Sequence, residues 1–373
     1  MKIAINALSA RVGGGQTYLV NLLAHLPADG SVDIIIFSDD TLLLPSHPYI
    51  KRIVPRWPTV NPLMRAVWEK VALPRLLLSE EVKVLFCPGG VVATRAPDGC
   101  KVVTMFRNMI PFDDKVRRAI PSGLQKLRNI VLKRVMLKSM RNADLTIFIS
   151  SYARSVIEKF ISPRNAVTIP HGIGDLFKTA QIDLPKPQIA PDGKYLLYVS
   201  RFDVYKHHIE VISAFASLSP AVRSGLTLVL AGETNQAAFP SVIELIKELK
   251  VESSVVILGG VPYGELPALY RNAEVNIFMS SCENCPNILL EAMAAGRPVI
   301  CSNTMPMPEF GGDAVTYCPP TEPLAIASGL ERLLEAPGLM VDLGAKAASH
   351  SRQYSWRHTA ERTWKEISKL GLQ

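Results

Sequence analysis

The 373-residue sequence contains no apolar run that approaches the roughly 18 residues of a membrane-spanning helix. Its opening, MKIAINALSA, is short of the apolar stretch that a signal peptide carries. Six cysteines in a chain of this length do not make the dense disulfide framework of a small secreted domain. We therefore expect a cytoplasmic protein, soluble or peripheral at the inner face of the cell membrane.

Metal-ligand patterns are also incomplete. Cys282 and Cys285 form the only CxxC pair, and neither Cys301, Cys318 nor the His207-His208 pair supplies the second half of a zinc site. No Asp-x-Asp cluster stands near a predicted strand end. The sequence predicts no metal site, and it assigns the CxxC pair to packing and loop geometry.

The composition favours a folded protein with an acidic partner. Hydrophobic residues make up 48% of the chain and charged residues 20%, which is enough apolar material for a substantial core. The length suits two α/β domains better than one. A formal charge of +8 points to nucleic acid, a phosphorylated ligand or an anionic membrane.

The chain begins with a strand, a glycine loop and a helix. The apolar run 2–8 predicts a buried strand, and 18–26 predicts an amphipathic helix. Gly13, Gly14 and Gly15 stand between them, where backbone can approach an anion closely. The loop is neither a Walker loop nor a full GxGxxG motif, and a tight turn without ligand explains it as well.

Strands and helices alternate twice along the chain, which predicts two doubly wound domains. The first domain is predicted over 1–174, a linker over the proline-containing stretch 175–193, and the second domain over 194–354. A final helix is predicted over 355–373. Further strands are predicted at 32–37, 84–87, 101–106, 144–150, 166–170, 195–200, 226–230, 255–258, 275–279 and 298–302.

The stretch 278–298, FMSSCENCPNILLEAMAAGRP, is the most informative. A strand end and a polar loop lead into a short helix that Gly296 ends. This helix is apolar all round apart from Glu291, so the carboxylate needs a partner, which Arg297 or a ligand could supply. Glu283 lies just ahead of the helix, whose free N–H groups attract an anion such as a phosphate.

The spacing of Glu283 and Glu291, followed by Ala-Met-Ala and Gly-Arg-Pro-Val-Ile, resembles the signature of retaining glycosyltransferases of family 4. The resemblance is strongest over 195–318. It implies the GT-B architecture, in which two Rossmann-like domains face each other across a cleft and a C-terminal helix crosses back to the first. It also implies sugar transfer from a nucleotide diphosphosugar as co-substrate, with no further cofactor and no metal.

The resemblance assigns roles to individual residues. Glu291 is expected to hold the ribose diol of the donor, and Glu283 to bind hydroxyls of the sugar. Arg201 and Lys206, which follow a strand end, are expected to stabilise the departing diphosphate, since an arginine fork and a lysine point charge can replace a metal there. The other expected donor-binding residues are Gly14, Gly15, Val261, Asn287 and Ile288.

The first domain departs from the family pattern at the end of its fourth predicted strand. Many relatives carry a His-Asp pair there, whereas this chain has Arg107 and Asn108. Either side chain could bond a sugar hydroxyl or a phosphate, or merely cap the turn. His171, at the domain junction, is a further candidate for acceptor or sugar contact, the alternative being a hinge histidine bonded to backbone.

Residues 115–142 carry nine lysines and arginines and no acid. Leu124, Leu127, Ile130, Val131, Val135 and Met136 recur at near-helical spacing, so we predict one basic amphipathic helix. Its apolar stripe is expected to pack on the sheet, and its cations either are solvated or meet an anionic membrane that holds a lipid-linked acceptor. Nucleic acid is not expected, because exposed aromatics do not interleave the cations.

Other functions fit parts of the pattern. A nicotinamide oxidoreductase would share the Rossmann alternation but needs the missing GxGxxG. A sugar-nucleotide epimerase of the GT-B type, or a catalytically idle sugar-nucleotide-binding subunit, would keep the same pocket. We predict transfer of a hexose or deoxyhexose to a glycan or lipid-linked glycan in cell-surface polysaccharide biosynthesis.

Overall fold

A computed structural model describes residues 1–11, 13–27, 29–119, 123–178 and 184–372. The chain divides into two compact units, the first made of Met1–Gly172 and Trp356–Gln373 and the second of Ile173–Ser355. The predicted linker contributes to the second unit. In this stretch Asp175–Lys178 is a helix, and Phe177 lies 1% exposed in the core of that unit.

The first unit contains a seven-stranded sheet in which all neighbouring strands are parallel. The order β3-β2-β1-β4-β5-β6-β7 places the first strand in the interior, as in Rossmann-type sheets. The strands are β1 Lys2–Asn6, β2 Asp33–Phe37, β3 Ile50–Ile53, β4 Val84–Cys87, β5 Lys101–Phe106, β6 Leu145–Phe148 and β7 Ala166–Thr168. The helices are α1 Gly14–Ala24, α2 Pro62–Val71, α3 Leu73–Ser79, α4 Asp114–Ala119, α5 Leu124–Asn142 and α6 Ser151–Glu158.

The second unit repeats this design around a six-stranded parallel sheet of order β10-β9-β8-β11-β12-β13. The strands are β8 Lys194–Val199, β9 Leu226–Ala231, β10 Val255–Gly259, β11 Val275–Phe278, β12 Val299–Ser302 and β13 Thr316–Cys318. The helices are α7 Asp175–Lys178, α8 His208–Ser217, α9 Pro220–Arg223, α10 Phe239–Glu248, α11 Leu266–Asn272, α12 Asn287–Ala294, α13 Met307–Gly311, α14 Pro323–Leu334 and α15 Pro337–Ser351.

The last helix, α16 Trp356–Gly371, belongs to the first unit. The indole Nε1 of Trp364 donates to the carbonyl of Leu22 in α1 at 3.1 Å. Thr359 Oγ1 donates to the carbonyl of Pro170 at 2.8 Å. The C-terminal segment is therefore fixed to the unit that the N-terminus begins.

Strands of a parallel sheet covered on both faces read as continuous apolar runs. For that reason the predicted strands 84–87 and 101–106 coincide with β4 and β5. Strand β3 was not predicted, because Ile50–Ile53 has two adjacent charged residues between its two isoleucines and pairs only with β2. It is an edge strand and needs no continuous apolar run.

The single helix predicted over 115–142 is wrong, since α4 and α5 are separate helices and 120–122 lie outside the described residues. The expected packing of its apolar stripe is also wrong in part. Met136 is buried, but Leu127, Val131 and Val135 are exposed. The buried face of α5 instead includes the polar residues Asn129 and Ser139.

In the parts of the chain that the structure describes, no helix combines the length and the apolar character needed to cross a bilayer.

Candidate functional site

The strand ends of the second unit approach each other closely. A Cβ on Gly232 would lie 1.9 Å from the carbonyl oxygen of Ser200, so only glycine fits there. Gly232 N donates to Gly259 O at 2.8 Å, and Ser200 N donates to Ala231 O at 2.8 Å. The loops that follow β8, β9 and β10 therefore start side by side at the carboxyl edge of the sheet, where ligands of doubly wound folds bind.

Lys206 is fixed by the loop that follows β8. It closes a short 3-10 turn, Val204–Lys206, and the next residue, His207, has φ 52° in the left-handed region. The Tyr198 hydroxyl, buried under the loop, lies 2.5 Å from the Lys206 carbonyl and 3.2 Å from that of Met279. The backbone of Lys206 is thus tied to the strand beside it.

Lys206 Nζ forms a salt bridge with Glu283 Oε1, and the two side chains are only 9% and 17% exposed. The ammonium also lies 5.3 Å from the centre of the Phe278 ring. A partly buried ion pair of this kind is electrostatically much stronger than a surface pair. The structure therefore brings together two of the predicted catalytic residues, which are 77 positions apart in the chain.

A second set of bonds ties the same two loops. Ser281 N donates to Tyr205 O at 2.9 Å, and Ser281 Oγ lies 2.9 Å from Nε2 of His207. His207 Nδ1 lies 3.0 Å from Oε1 of Glu210. Of the two adjacent histidines, only His208 lies in α8, which it begins. His207 instead positions the loop that carries Glu283, and only its place after a strand end could have suggested this.

Arg201 lies at the exposed rim, with its side chain 57% exposed. Its Nε is 3.7 Å from Glu233 Oε2 and 3.9 Å from Asp203 Oδ2. Exposed pairs at such distances contribute little to stability. The guanidinium can therefore exchange these neighbours for a more highly charged anion at low cost.

Helix α12 begins at Asn287, and Pro286 is its N-cap. Gly296 follows the helix with φ 74°, as the sequence predicted. At the start of the helix, Asn287 Oδ1 is buried and has no hydrogen-bond partner in the protein. Ser280 Oγ, on the preceding loop, is also buried and also has no such partner. Buried polar atoms without partners beside a helix N-terminus indicate a place for a ligand.

Glu291 accepts a hydrogen bond from the Tyr263 hydroxyl at 3.1 Å. Burial raises the pKa of Glu291 to about 7, and the bond from Tyr263 partly offsets this increase. Arg297, the alternative partner in the sequence interpretation, instead donates from Nε to the Arg271 carbonyl at 2.6 Å. Tyr263 was missed, because a tyrosine after a strand end carries no signal that connects it with a glutamate 28 residues later.

Val261 and Ile288 lie near these groups and are both half-buried against the core of the second unit. Val261 follows β10, and Ile288 is the second residue of α12. Their side chains pack in the protein, so a role in ligand binding would fall to their backbone groups.

In the first unit, Arg107 lies against the glycine loop. Helix α1 begins at Gly14, earlier than the predicted residue 18, and its N-cap Gly13 has φ 66°. A Cβ on Gly14 would lie 3.4 Å from Arg107 Nη2, and one on Gly15 would lie 3.5 Å from Nη1. The arginine that replaces the family histidine therefore places its charge beside the loop that was predicted to meet a ligand.

The other two candidates of the first unit have structural contacts. Asn108 Oδ1 accepts a hydrogen bond from Ile110 N at 3.2 Å and so caps the turn after β5. His171 is 3% exposed and lies between the rings of Tyr18 and Trp356, each 5.3 Å away. The structure places this histidine in an aromatic stack of the first unit.

Over the described residues, no group of three or more His, Cys, Asp or Glu side chains is arranged to hold a metal ion. All six cysteines are free thiols. Cys282 is buried, and Cys285 is half-buried against the core of its unit. The CxxC pair thus contributes to packing of the loop before α12.

Two sheets of Rossmann order, with a charged pair and a helix start at the strand ends of the second, define a two-domain protein of the doubly wound α/β class. The family profile "Glycosyl transferases group 1" matches residues 180–350, and "Glycosyltransferase Family 4" matches residues 12–175. Between them the two profiles cover most of the chain. The chain belongs to glycosyltransferase family 4.

Similar proteins agree with this assignment. The O-antigen chain mannosyltransferase B of Escherichia coli is 26% identical over 274 residues, which are 70% of this chain and 69% of that protein. Other matched relatives are covered over about half of their length or less.

Solved structures show the same GT-B fold. Sucrose-phosphate synthase from Thermosynechococcus elongatus superposes with a TM-score of 0.80 at 20% identity, over 99% of both chains. Anabaena Alr3699/HepE, crystallised with UDP-glucose, superposes with a TM-score of 0.74 at 17% identity, over 99% of this chain and 100% of that one.

Proposed function

We propose that this protein transfers a hexose or deoxyhexose from a nucleotide diphosphosugar to a glycan or lipid-linked glycan acceptor, with retention of the anomeric configuration. The donor is a co-substrate, and the reaction needs neither a metal nor another cofactor. The names of its relatives, an O-antigen chain mannosyltransferase among them, support a place in cell-surface polysaccharide biosynthesis.

The Lys206–Glu283 pair beside the start of α12 is the observation that carries this proposal. When the bond between sugar and diphosphate breaks, negative charge grows on the diphosphate. A fixed ammonium, the Arg201 guanidinium and the free N–H groups of a helix start stabilise that charge without a metal. Because the cations are already in position, little reorganisation is needed when the charge appears.

The carboxylates bind the remainder of the donor. Glu291 accepts hydrogen bonds from the two ribose hydroxyls. These bonds replace the one that it accepts from the Tyr263 hydroxyl in the empty protein. Glu283 binds hydroxyls of the sugar, while Lys206, its partner in the ion pair, faces the diphosphate. Asn287 and Ser280 offer polar atoms to the same ligand. The UDP-glucose bound to the HepE neighbour supports a donor of this chemical type.

In the first unit, Gly14 and Gly15 give the backbone access to a substrate, and Arg107 beside them supplies a positive charge. This charge takes the place of the histidine found in many relatives. Its guanidinium remains cationic at all physiological pH values, so it serves as an anchor for a phosphate or sugar hydroxyl and not as a proton carrier.

A transfer assay tests the proposed reaction. The purified protein is incubated with UDP-, GDP- and dTDP-hexoses and a glycan or lipid-linked acceptor, with excess EDTA throughout. We expect one donor to give a glycoside of unchanged anomeric configuration. A free altered sugar formed without acceptor would identify an epimerase, and a bound but unreacted donor an idle binding subunit. Product only after addition of a divalent metal would contradict the metal-free mechanism.

The cations of 115–142 support contact with an anionic membrane that holds the acceptor. Each lysine or arginine near such a surface contributes about 1 kcal/mol. We expect the protein to float with vesicles that contain phosphatidylglycerol and to remain unbound with purely zwitterionic vesicles at low salt. Equal flotation with the two vesicle types would contradict an electrostatic contact through this segment.

A further inference from the structure

Residues 54–71 expose an unusual number of large apolar side chains. Soluble monomers rarely expose contiguous apolar patches beyond a few hundred Å². Helix α2 exposes Leu63, Met64, Val67 and Val71, and it buries Trp68 and its single acid, Glu69, which is 5% exposed. The exposed residues are Val54 at 49%, Trp57 at 37%, Val60 at 68%, Leu63 at 77%, Met64 at 36%, Val67 at 43% and Val71 at 47%.

Helix α5 presents a second apolar row. Leu127, Val131 and Val135 are 58%, 49% and 36% exposed and follow each other at intervals of four residues, on one line along the helix. Three exposed cations stand beside this row, namely Arg128, Arg134 and Lys138. The outer face of α5 is therefore apolar and positively charged at once.

The two helices flank one trench of about 1000 Å³. Ala66 and Lys70 of α2 and Val135 and Lys138 of α5 all line it. The trench exists because the crossover from β4 to β5, residues 88–100, all of them described, contains no helix to fill the layer between α2 and α5. The trench therefore lies between α2 and α5, and Val135 is the residue of the exposed apolar rows that lines it.

The charges of this face determine which partner it fits. Neither α2 nor α5 has an exposed acid, while Lys70, Arg128 and Lys138 are exposed. Of the two acids at the trench, Asp144 accepts a hydrogen bond from Val102 N at 2.8 Å, and Asp98 is solvated on the loop. A second copy of the chain would oppose cation to cation, which is unfavourable. Nucleic acid would leave the apolar rows in water, whereas a bilayer with anionic lipids satisfies both features.

We propose that residues 54–71 and the outer face of α5, here called the docking face, form a membrane-inserting surface. The apolar side chains enter the lipid, Trp57 lies at the boundary between headgroups and acyl chains, and the cations meet anionic headgroups. The inference goes beyond the proposed reaction, because insertion through 54–71 follows from apolar exposure and does not depend on which sugar is transferred.

Trp57 makes the insertion directly measurable. The other three tryptophans, Trp68, Trp356 and Trp364, are 2–4% exposed, so lipid-borne quenchers reach Trp57 first. With vesicles of phosphatidylethanolamine and phosphatidylglycerol whose acyl chains carry bromine, we expect strong quenching of the wild-type fluorescence. Trp57→Phe should still bind the vesicles and lose that quenching. Vesicle binding by the wild-type protein without quenching would overturn the inference.

A charge introduced into the apolar row tests the same face independently. Leu63→Glu combined with Val67→Glu should lower the vesicle-bound fraction at least tenfold, and high salt should not restore it. Leu324→Glu, at a residue 74% exposed in the second unit, is the matched control and should bind normally. Equal binding of the two variants would overturn the inference. A wild-type protein that sediments as a dimer, together with a Leu63→Glu, Val67→Glu variant that sediments as a monomer, would also overturn it, because the face would then be a subunit interface.

Sugar transfer to a water-soluble acceptor distinguishes the proposed reaction from the proposed docking face. Sugar transfer to it should be the same for wild type and for the Leu63→Glu, Val67→Glu variant, which also checks that the variant is folded. If the variant loses vesicle binding but keeps transfer, the docking face is supported independently of the reaction. If wild-type protein inserts in vesicles but transfers no sugar, the proposed function fails and the docking face stands.

Discussion

Replacing Lys206 with alanine is expected to lower the turnover of sugar transfer roughly a hundredfold or more, the scale of a lost charge-stabilising group in an active site. The Lys206 side chain is 9% exposed and paired with Glu283, and the Tyr198 hydroxyl holds its backbone, so the ammonium is already in position before the donor binds. Arg201→Ala should act in the same direction, since Arg201 lies at the rim of the same strand end. Initial rates at saturating donor measure both effects.

The control for Lys206→Ala must account for Glu283. Removing one partner of a partly buried ion pair leaves the other charge uncompensated, which itself destabilises a protein. The double variant Lys206→Ala, Glu283→Gln removes that charge and should regain thermal stability without regaining turnover. Lys247→Ala, at an exposed lysine of α10, should change neither property. Unchanged transfer in Lys206→Ala would refute the role of this cation.

Donor binding is expected to strengthen with rising pH through about pH 7. Burial holds the pKa of Glu291 at about 7 in the empty protein, and two ribose hydroxyls bond best to its charged form. Binding therefore releases a proton, so affinity falls as pH drops below this pKa and levels off above it. A hydrogen bond to a charged group contributes about 1.5–3 kcal/mol, which corresponds to roughly tenfold or more between about pH 5 and about pH 8.

Two variants assign this pH dependence to Glu291. Calorimetric titration should use an intact sugar nucleotide, because its diphosphate is esterified at both ends and does not titrate in this range. Glu291→Gln should bind weakly at every pH and show no step. Tyr263→Phe removes the hydrogen bond that holds the pKa down and competes with ribose, so its step should move to higher pH. A step that persists in Glu291→Gln would show that another group is responsible.

The sequence was most informative where one physical constraint dominates. Buried parallel strands are predominantly apolar, so β4 and β5 were predicted with their observed bounds. Gly296 was predicted to end α12 because a left-handed residue suits glycine, and its φ is 74°. The candidate site was predicted from the resemblance to family 4, which assigned roles to charged residues that follow such strands.

The sequence was least informative where polarity and exposure do not correspond. Asn61 caps α2, its side chain accepting from Leu63 N at 2.8 Å, and Pro62 follows it, so signals for this helix were present. The helix was not predicted, because most of its apolar residues are exposed, while Trp68 and the acid Glu69 are buried. The bond between Tyr263 and Glu291 was equally impossible to predict, since it depends on where the turn after β10 meets helix α12 in space.

The most direct test of the account is a calorimetric titration of UDP, GDP and dTDP in excess EDTA. We predict that at least one of them binds the wild-type protein, and that the corresponding monophosphate binds at least tenfold more weakly, because the second phosphate meets Lys206, Arg201 and the start of α12. In the Arg201→Ala, Lys206→Ala variant that difference should vanish. Equal affinity of the wild-type protein for diphosphate and monophosphate, or binding only after a divalent metal is added, would contradict the central claim.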